Sequence, residues 1–492
     1  MVMRAWCAWA VAVSLVAACG SKSTTNSSAS SSNGAGDATS GGDVGGSASS
    51  GQAGAGGAPT SSSSGTGAGW SAVGGNVGVR NGPEVVWVNE LEQPGGNDTG
   101  LSFRHIDVGT DGAPVIVGRI YYDAYFGGPE VECDECRDAA IAAYSADGDH
   151  LWTLPLLSSV DAEEVETAGL ELDDAGGIYV AGSFHGTLTV GQTALVGAVD
   201  DLFVLKLTPT GEVAWTKLAT GPGLSFVRGI DVTPSGDVAV VGAVESGLSL
   251  GGAPLVGASP VPFVARFDTG GTHLYSHSLP AGFQPQSVAM DGTRTFVGGQ
   301  SDGSMMLSGT AYPAQAPVVV EVLETGEILE HFSRVDTKAS VYRMAVQPEG
   351  HLRLSGLLRG TMQVGADAIA SENPSSLLWQ SALYAAGLQG PASSGWARVY
   401  GDSAVNQPNW GPAGATLSYG RYDGSAWIGS YVARIVPPGS PLDWQLGLDL
   451  FSGTVGEGPN DSVYLAGIFD PAQVLPGGVT VEGPAIVRLD MP

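Results

Sequence analysis

The sequence is short of cysteine, of basic residues and of long apolar runs, and each shortage excludes something. Four cysteines in 492 residues are too few for a fold built on disulfides. Lys and Arg number 20 against 49 Asp and Glu, a formal net charge of −29. Such a chain repels nucleic acid and anionic headgroups, so no nucleic-acid partner is expected. Charged residues make up only 14% of the chain, well under the usual quarter. After the first twenty residues no apolar stretch approaches the length of a bilayer span. No sustained 3.6-residue periodicity appears, which excludes a stack of amphipathic helices. What fills the gap is glycine, 75 residues of it, together with β-branched side chains. That composition points to an all-β protein with many turns.

The N-terminus carries one basic residue, Arg4, then an apolar run from Ala5 to Ala18 that is too short to cross a membrane as a helix. It ends Leu15-Val16-Ala17-Ala18-Cys19-Gly20. This text resembles the lipobox of bacterial lipoproteins. The resemblance implies a signal peptide over residues 1–18, lipidation (palmitate and its relatives) on Cys19, and a membrane link through that lipid. Gly20 after the cysteine implies outer-membrane sorting. From Cys19 to about residue 75 the chain is nearly all Ser, Gly, Ala and Thr. It has too little apolar bulk to repay the entropy of ordering, and reads as a disordered tether. A flexible coil of roughly 55 residues reaches about 40 Å.

Residues 76–492 repeat. A turn glycine is followed six residues later by a second glycine, with a β-rich segment between them. The pairs are Gly112 and Gly118, Gly176 and Gly182, Gly236 and Gly242, Gly292 and Gly298, Gly350 and Gly356, and Gly414 and Gly420. A seventh copy has Asp461 and Gly467. A later turn glycine precedes an aromatic: Gly148 before Trp152, Gly211 before Trp215, Gly271 before Tyr275, Gly439 before Trp444. Each unit therefore holds two hairpins, or four strands, and successive second glycines lie between 47 residues (Gly420 to Gly467) and 64 residues (Gly118 to Gly182) apart. That period with four strands per unit is the signature of a propeller blade.

The last copy ends at Ala485-Ile486-Val487-Arg488-Leu489-Asp490, one strand short, and Gly82-Pro83-Glu84-Val85-Val86-Trp87-Val88 has the matching spacing at the other end. The expected fold class is all-β: a monomeric, seven-bladed β-propeller of four-stranded blades, closed by an N-terminal strand that hides two sheet edges. The units resemble the β-propeller repeats of secreted bacterial proteins, best in Ile178-Tyr179-Val180-Ala181-Gly182 and Asp201-Leu202-Phe203-Val204-Leu205-Lys206-Leu207. The resemblance covers roughly Pro83 to Pro492 and implies a fold, not an activity.

Candidate chemistry is sparse. Cys133-Asp134-Glu135-Cys136 in an exported chain is expected to close as a disulfide, since a metal site would need two more soft ligands. Gly247-Leu248-Ser249-Leu250-Gly251 matches a nucleophile elbow, but that motif needs a strand-to-helix turn. The same glycine pair recurs without the serine as Gly186 and Gly191, and as Gly360 and Gly365. Trp152, Trp215 and Trp444 resemble the blade-locking tryptophans of quinoprotein propellers, which implies a structural role. His273 and His277 share a strand face, but two ligands make no metal site. Asp200-Asp201 and Glu163-Glu164 read as solvated loop charges.

No catalytic residue, cofactor or metal is therefore expected. The leading reading is an envelope lipoprotein that binds or scaffolds a protein or glycan. The other is a glycan-active hydrolase or lyase at the centre of the disc. The first requires a channel free of convergent Asp, Glu, Arg or His. Three or more of these around one pocket, with shifted pKa values, place the enzyme first.

Overall fold

In a computed structural model, the described residues run from 83 to 490. Left out are 92–99, 134–135, 161–164, 198–199, 222, 348–349, 372–381, 389–394, 403–408, 412–413, 424–425, 436–443 and 449. Between 382 and 452 the backbone strands are described, with side chains only at Tyr384, Ala386, Gly387, Leu388 and Ala397. Residue 471 likewise has no described side chain. Residues 1–82, Cys19 among them, and Glu163-Glu164 lie outside the described set.

The compact unit Asn81–Pro492 is all-β and propeller-like, with helix limited to short 3-10 turns among the described residues. The first blade comprises Leu101–Val108, Pro114–Ile120, Asp138–Tyr144 and His150–Ser158. The second has Glu166–Leu172, Ile178–Phe184, Asp201–Leu207 and Val213–Ala219. The third has Phe226–Val232, Val238–Val244, Val261–Phe267 and His273–Ser278, and the fourth Phe283–Met290, Thr295–Ser301, Pro317–Val322 and Ile328–Ser333. In the fifth the innermost strand is broken into Lys338–Ala339 and Arg343–Val346, followed by Leu352–Arg359, Ala382–Leu388 and Gly395–Asp402. The closing blade joins Leu450–Glu457, Ser462–Val474 and Thr480–Asp490 to the N-terminal strand Glu84–Glu90. That strand pairs antiparallel as expected, Val85 with Leu489, Val88 with Val487 and Asn89 with Ile486. Among the described residues no helix is long and apolar enough to cross a membrane.

Six blades, not seven, is the count. The segment of the sixth copy does pair, as Asn409–Gly411, Gly414–Asp423, Ala426–Ile435 and Trp444–Leu448. Its side chains lie outside the described residues. Turn spacing counts hairpins and is blind to whether a hairpin pair packs.

The repeat glycines have a mechanical cause. Each of the first four innermost strands carries a bulge, between Phe103 and His105, Thr167 and Gly169, Val227 and Gly229, and Pro285 and Ser287. The second-strand glycine faces this bulge. A Cβ at Gly182, Gly242, Gly299 or Gly356 would sit on the carbonyl oxygen of Glu166, Phe226, Gln284 or Ser340. By this register the fourth copy's second glycine is Gly299, not Gly298. Fully buried Tyr144, Tyr179, Phe203, Phe263, Phe296 and Tyr464 fill the space between blades. Each such side chain contributes about 1.5–3 kcal/mol by burial.

Blades are also fastened by hydrogen bonds that run one way round the ring. Outer-strand indoles donate to a turn carbonyl of the next blade: Trp87 to Ala146, Trp152 to Pro209 and Trp215 to Thr269, each at 3.0 Å. In the third blade His277 Nε2 takes over, donating to Glu324 O at 2.9 Å. The turn glycines Gly148, Gly211 and Gly271 lie flat under Trp87, Trp152 and Trp215, where any side chain would collide with the indole. So the aromatic that follows each turn locks not its own turn but that of the next blade. Second-strand tyrosines do the same: Tyr179 Oη donates to Gly236 O and Tyr464 Oη to Gly112 O, both 2.8 Å. The third-strand cations Lys206, Arg266 and Arg488 reach Thr269, Gly292 and Ala146.

The closing strand leaves two edges bare when removed. Deleting residues through Leu91 is expected to lower the thermal midpoint by many degrees or cause aggregation, while deleting residues 21–69 is expected to leave it within about 1–2 °C, since a segment composed almost wholly of Ser, Gly, Ala and Thr offers little apolar surface to bury. Thermal melts of the two truncations decide the point, and equal midpoints would contradict the closure.

Candidate functional site

The innermost strands of the six blades surround a cavity of ≈ 100 Å³. Cross-strand pairing places their residues on common rungs. Ile106, Leu170, Ile230, Val288, Met344 and Val455 form one buried rung. On one side of it lie His105, Ser287, Arg343 and Thr454, with Gly169 and Gly229 at the equivalent places. On the other lie Asp107, Glu171 and Asp231, from the first three blades in succession, then Ala289, Ala345 and Gly456. The bulges sit just before the first of these polar rungs, a position from which a bulge re-aims the side chains that follow.

The expectation of a channel without convergent titratable groups is overturned. Asp107, Glu171, Asp231, His105 and Arg343 line one cavity. Sequence reasoning missed them because each belongs to a different copy and none forms a local motif. One signal was present. Asp107, Glu171 and Asp231 each stand eleven residues before the second glycine of their copy (Gly118, Gly182 and Gly242), so stacking the copies puts three acids in one column.

Two of the three acids are held by backbone. Asp107 accepts from Val108 N at 2.9 Å and from Leu172 N of the next blade at 2.8 Å. Asp231 accepts from Met290 N of the next blade at 2.7 Å. Burial nevertheless raises their carboxyls, Asp107 to about 6 and Asp231 to about 7, with the backbone N–H groups pulling the other way. Glu171 has no hydrogen-bond partner among the described residues. Burial, then the charges of Asp107 and Asp231, push it well above the ordinary carboxylate range, and Arg343 only partly opposes them. His105, buried beside Arg343, is driven down to about 3. It is a neutral imidazole whose Nε2–H donates to Thr167 O at 3.1 Å. Ser287, 2% exposed, has a hydroxyl without a partner.

The other candidates fall elsewhere. Cys133 and Cys136 are bonded to each other, Cα–Cα 5.6 Å, and Cys133 N donates to Asp123 at 2.7 Å. Ser249 lies in a loop and donates to Gly252 O at 2.7 Å, with no helix following it. His273 bonds Ser276 at 3.1 Å while His277 docks on the fourth blade, so the two do not converge. Asp201 is not a solvated loop charge: it is fully buried and accepts from Gly221 N at 3.0 Å. Trp444 has no described side chain. Among the described residues no cluster of His, Cys, Asp and Glu is arranged to hold a metal.

No family model matches the chain, and no curated protein matches it. Among solved structures it is similar to a catalytically inactive virginiamycin B lyase from Staphylococcus aureus with quinupristin, at 11% identity and TM-score 0.42, over 82% of this chain and 99% of that one. It is also similar to an ulvan lyase, a polysaccharide lyase bound to a glucuronate–sulfated rhamnose unit, at 11% identity and TM-score 0.41, over 76% and 92%. A third is the WD40 domain of Neurospora crassa Pan2, at 8% identity and TM-score 0.40, over 83% and 95%. At these values none carries an argument about what this chain does, and the propeller architecture rests on the sheet pairing above.

The raised carboxyls make stability depend on pH. Their folded pKa values exceed the ordinary values of 3.8 for Asp and 4.5 for Glu, so the folded state binds these protons more tightly than the unfolded chain. Their contribution is therefore fully present below about pH 4 and is lost as pH rises through 6 to 7 and beyond. Glu171→Gln, which mimics the protonated acid beside Asp107, Asp231 and Arg343, is expected to raise the melting temperature at pH 8 and leave it unchanged near pH 4.5. An equal shift at both pH values would show that Glu171 does not titrate within the fold.

Proposed function

We propose that the central channel is the working site of a cell-envelope enzyme that moves protons on a glycan, and that a lipid on Cys19 holds the protein at the membrane. The observation behind the enzymatic part is the ring of Asp107, Glu171, Asp231, His105 and Arg343 around one cavity, with the carboxyls of Asp107 and Asp231 raised to about 6 and 7 and that of Glu171 held well above the ordinary carboxylate range. A group that titrates near its working pH both gives and takes protons efficiently. Glu171, whose carboxyl has no hydrogen-bond partner among the described residues, is the proton carrier. Arg343 faces the same cavity and stabilises negative charge as it develops on the substrate. Asp107 and Asp231 are positioning residues: they tie adjacent innermost strands together and raise Glu171. The Ser287 hydroxyl touches no base, so a covalent serine intermediate has no support. A net charge of −29 repels polyanions, which favours a glycan that is neutral or carries amines.

A binding or scaffolding propeller is the second reading, and one observation favours it. A cavity of ≈ 100 Å³ holds about three waters, against roughly 300–1,000 Å³ for sites that engulf a whole ligand. Only a terminal group enters, and the rest of the ligand lies on the disc face. The anchor, the outer-membrane address and the disordered tether rest on the lipobox and the Ser/Gly/Ala segment.

Release of reducing ends or unsaturated products from neutral and amino glycans tests the enzyme. Glu171→Gln is expected to lower turnover by about 10²–10⁴-fold without unfolding the protein. Binding without turnover in the wild type would leave the second reading in its place. Detergent partitioning tests the anchor: Cys19→Ala is expected to leave the detergent phase, and its retention there would contradict lipidation.

A further inference from the structure

We infer that the group admitted to the channel carries both a positive and a negative charge, as in a sugar unit bearing a free amine and a carboxylate. The inference rests on the channel being the functional site and specifies what that site takes. Arg343 and Glu171 line the same cavity and feel each other's charge, yet they form no ion pair with each other. Among the described residues neither has a hydrogen-bond partner. A half-buried guanidinium and a half-buried carboxyl that line one cavity without hydrogen-bonding each other leave a donor fork and an acceptor open to a ligand. A ligand anion fits the fork of Arg343. A ligand ammonium fits Glu171, flanked by Asp107 and Asp231. Ser287, 2% exposed with its hydroxyl unpartnered, lines the same cavity and supplies a third polar contact.

Charge and size both select this class. A ligand with one charge pairs with one of the two groups and covers the other without pairing it, the costly arrangement. A zwitterion satisfies both and, being neutral overall, is not repelled by a protein of charge −29. The ≈ 100 Å³ cavity takes the charged groups and a few connecting atoms, with a sugar ring left at the mouth.

Calorimetric titration of the full mature chain with four probes tests this. Muramic acid carries both charges, glucosamine only the amine and glucuronic acid only the carboxylate. Glycine is a zwitterion without a ring. Muramic acid is expected to bind at least tenfold more tightly than either singly charged sugar. Arg343→Gln, its fold checked by circular dichroism, is expected to erase the advantage over glucosamine, and Glu171→Gln the advantage over glucuronic acid. Glycine binding as tightly as muramic acid would uphold the charge pairing and make a free amino acid the ligand. Equal affinity for all three sugars, or no binding by any probe, overturns the inference on wild-type protein alone. Should the probes fail while Glu171→Gln still abolishes glycan turnover, only this inference falls. Should turnover also be indifferent to Glu171, the channel is not the site.

Discussion

The structure depends on hydrogen bonds thrown from each blade onto the turns of the next. A four-stranded sheet exposes two faces, and a ring of such sheets is stable only if every face meets a neighbour at a fixed distance and angle. Apolar side chains supply the adhesion but not the register. The register comes from Trp87, Trp152 and Trp215 donating to turn carbonyls, from Tyr179 and Tyr464 doing the same nearer the axis, and from Lys206, Arg266 and Arg488 between them. Each bond is worth only about 1 kcal/mol net. Repeated from blade to blade, they fix where the innermost strands stand.

That placement has a chemical consequence at the axis. Six innermost strands converge, and their bulges turn polar side chains toward a space of ≈ 100 Å³. Asp107 and Asp231 extend the fastening inward by capping backbone N–H groups of the next blade. Glu171 has no such duty among the described residues, and Arg343 has none either. A carboxyl driven up by burial and by two neighbouring acids, opposite a cation it does not touch, is unfavourable for folding alone. Groups of this kind mark places where a fold gives up stability for something else.

Much of the fold was legible because its constraints are local. The second glycine of copies two to five is demanded by a carbonyl pressed against it from the innermost strand, and Gly148, Gly211 and Gly271 by the indole laid over each, so these glycines recur at near-constant spacing. The closure was legible because the last copy lacks a strand and residues 84–90 supply it. The number of blades was over-read, since glycine spacing counts hairpins rather than blades. The partner of each tryptophan was out of reach too: spacing ties Trp152 to Gly148, whereas the contact is with Gly211, one blade on. The channel was invisible for the same reason. Asp107, Glu171, Asp231 and Arg343 meet only once the ring has closed, and no local spacing encodes that meeting.

The central claim is that the blade-to-blade bonds hold the ring while the unpartnered groups of the channel do not. Urea unfolding at pH 8 of Trp152→Phe and Arg343→Gln measures it directly. Trp152→Phe keeps the ring over Gly211 and removes only the N–H that reaches Pro209, so it is expected to lose about 1 kcal/mol. Arg343→Gln, which removes a half-buried charge without a hydrogen-bond partner among the described residues, is expected to be neutral or to gain stability. A larger loss in Arg343→Gln than in Trp152→Phe would show that the channel, not the junctions between blades, holds the structure together.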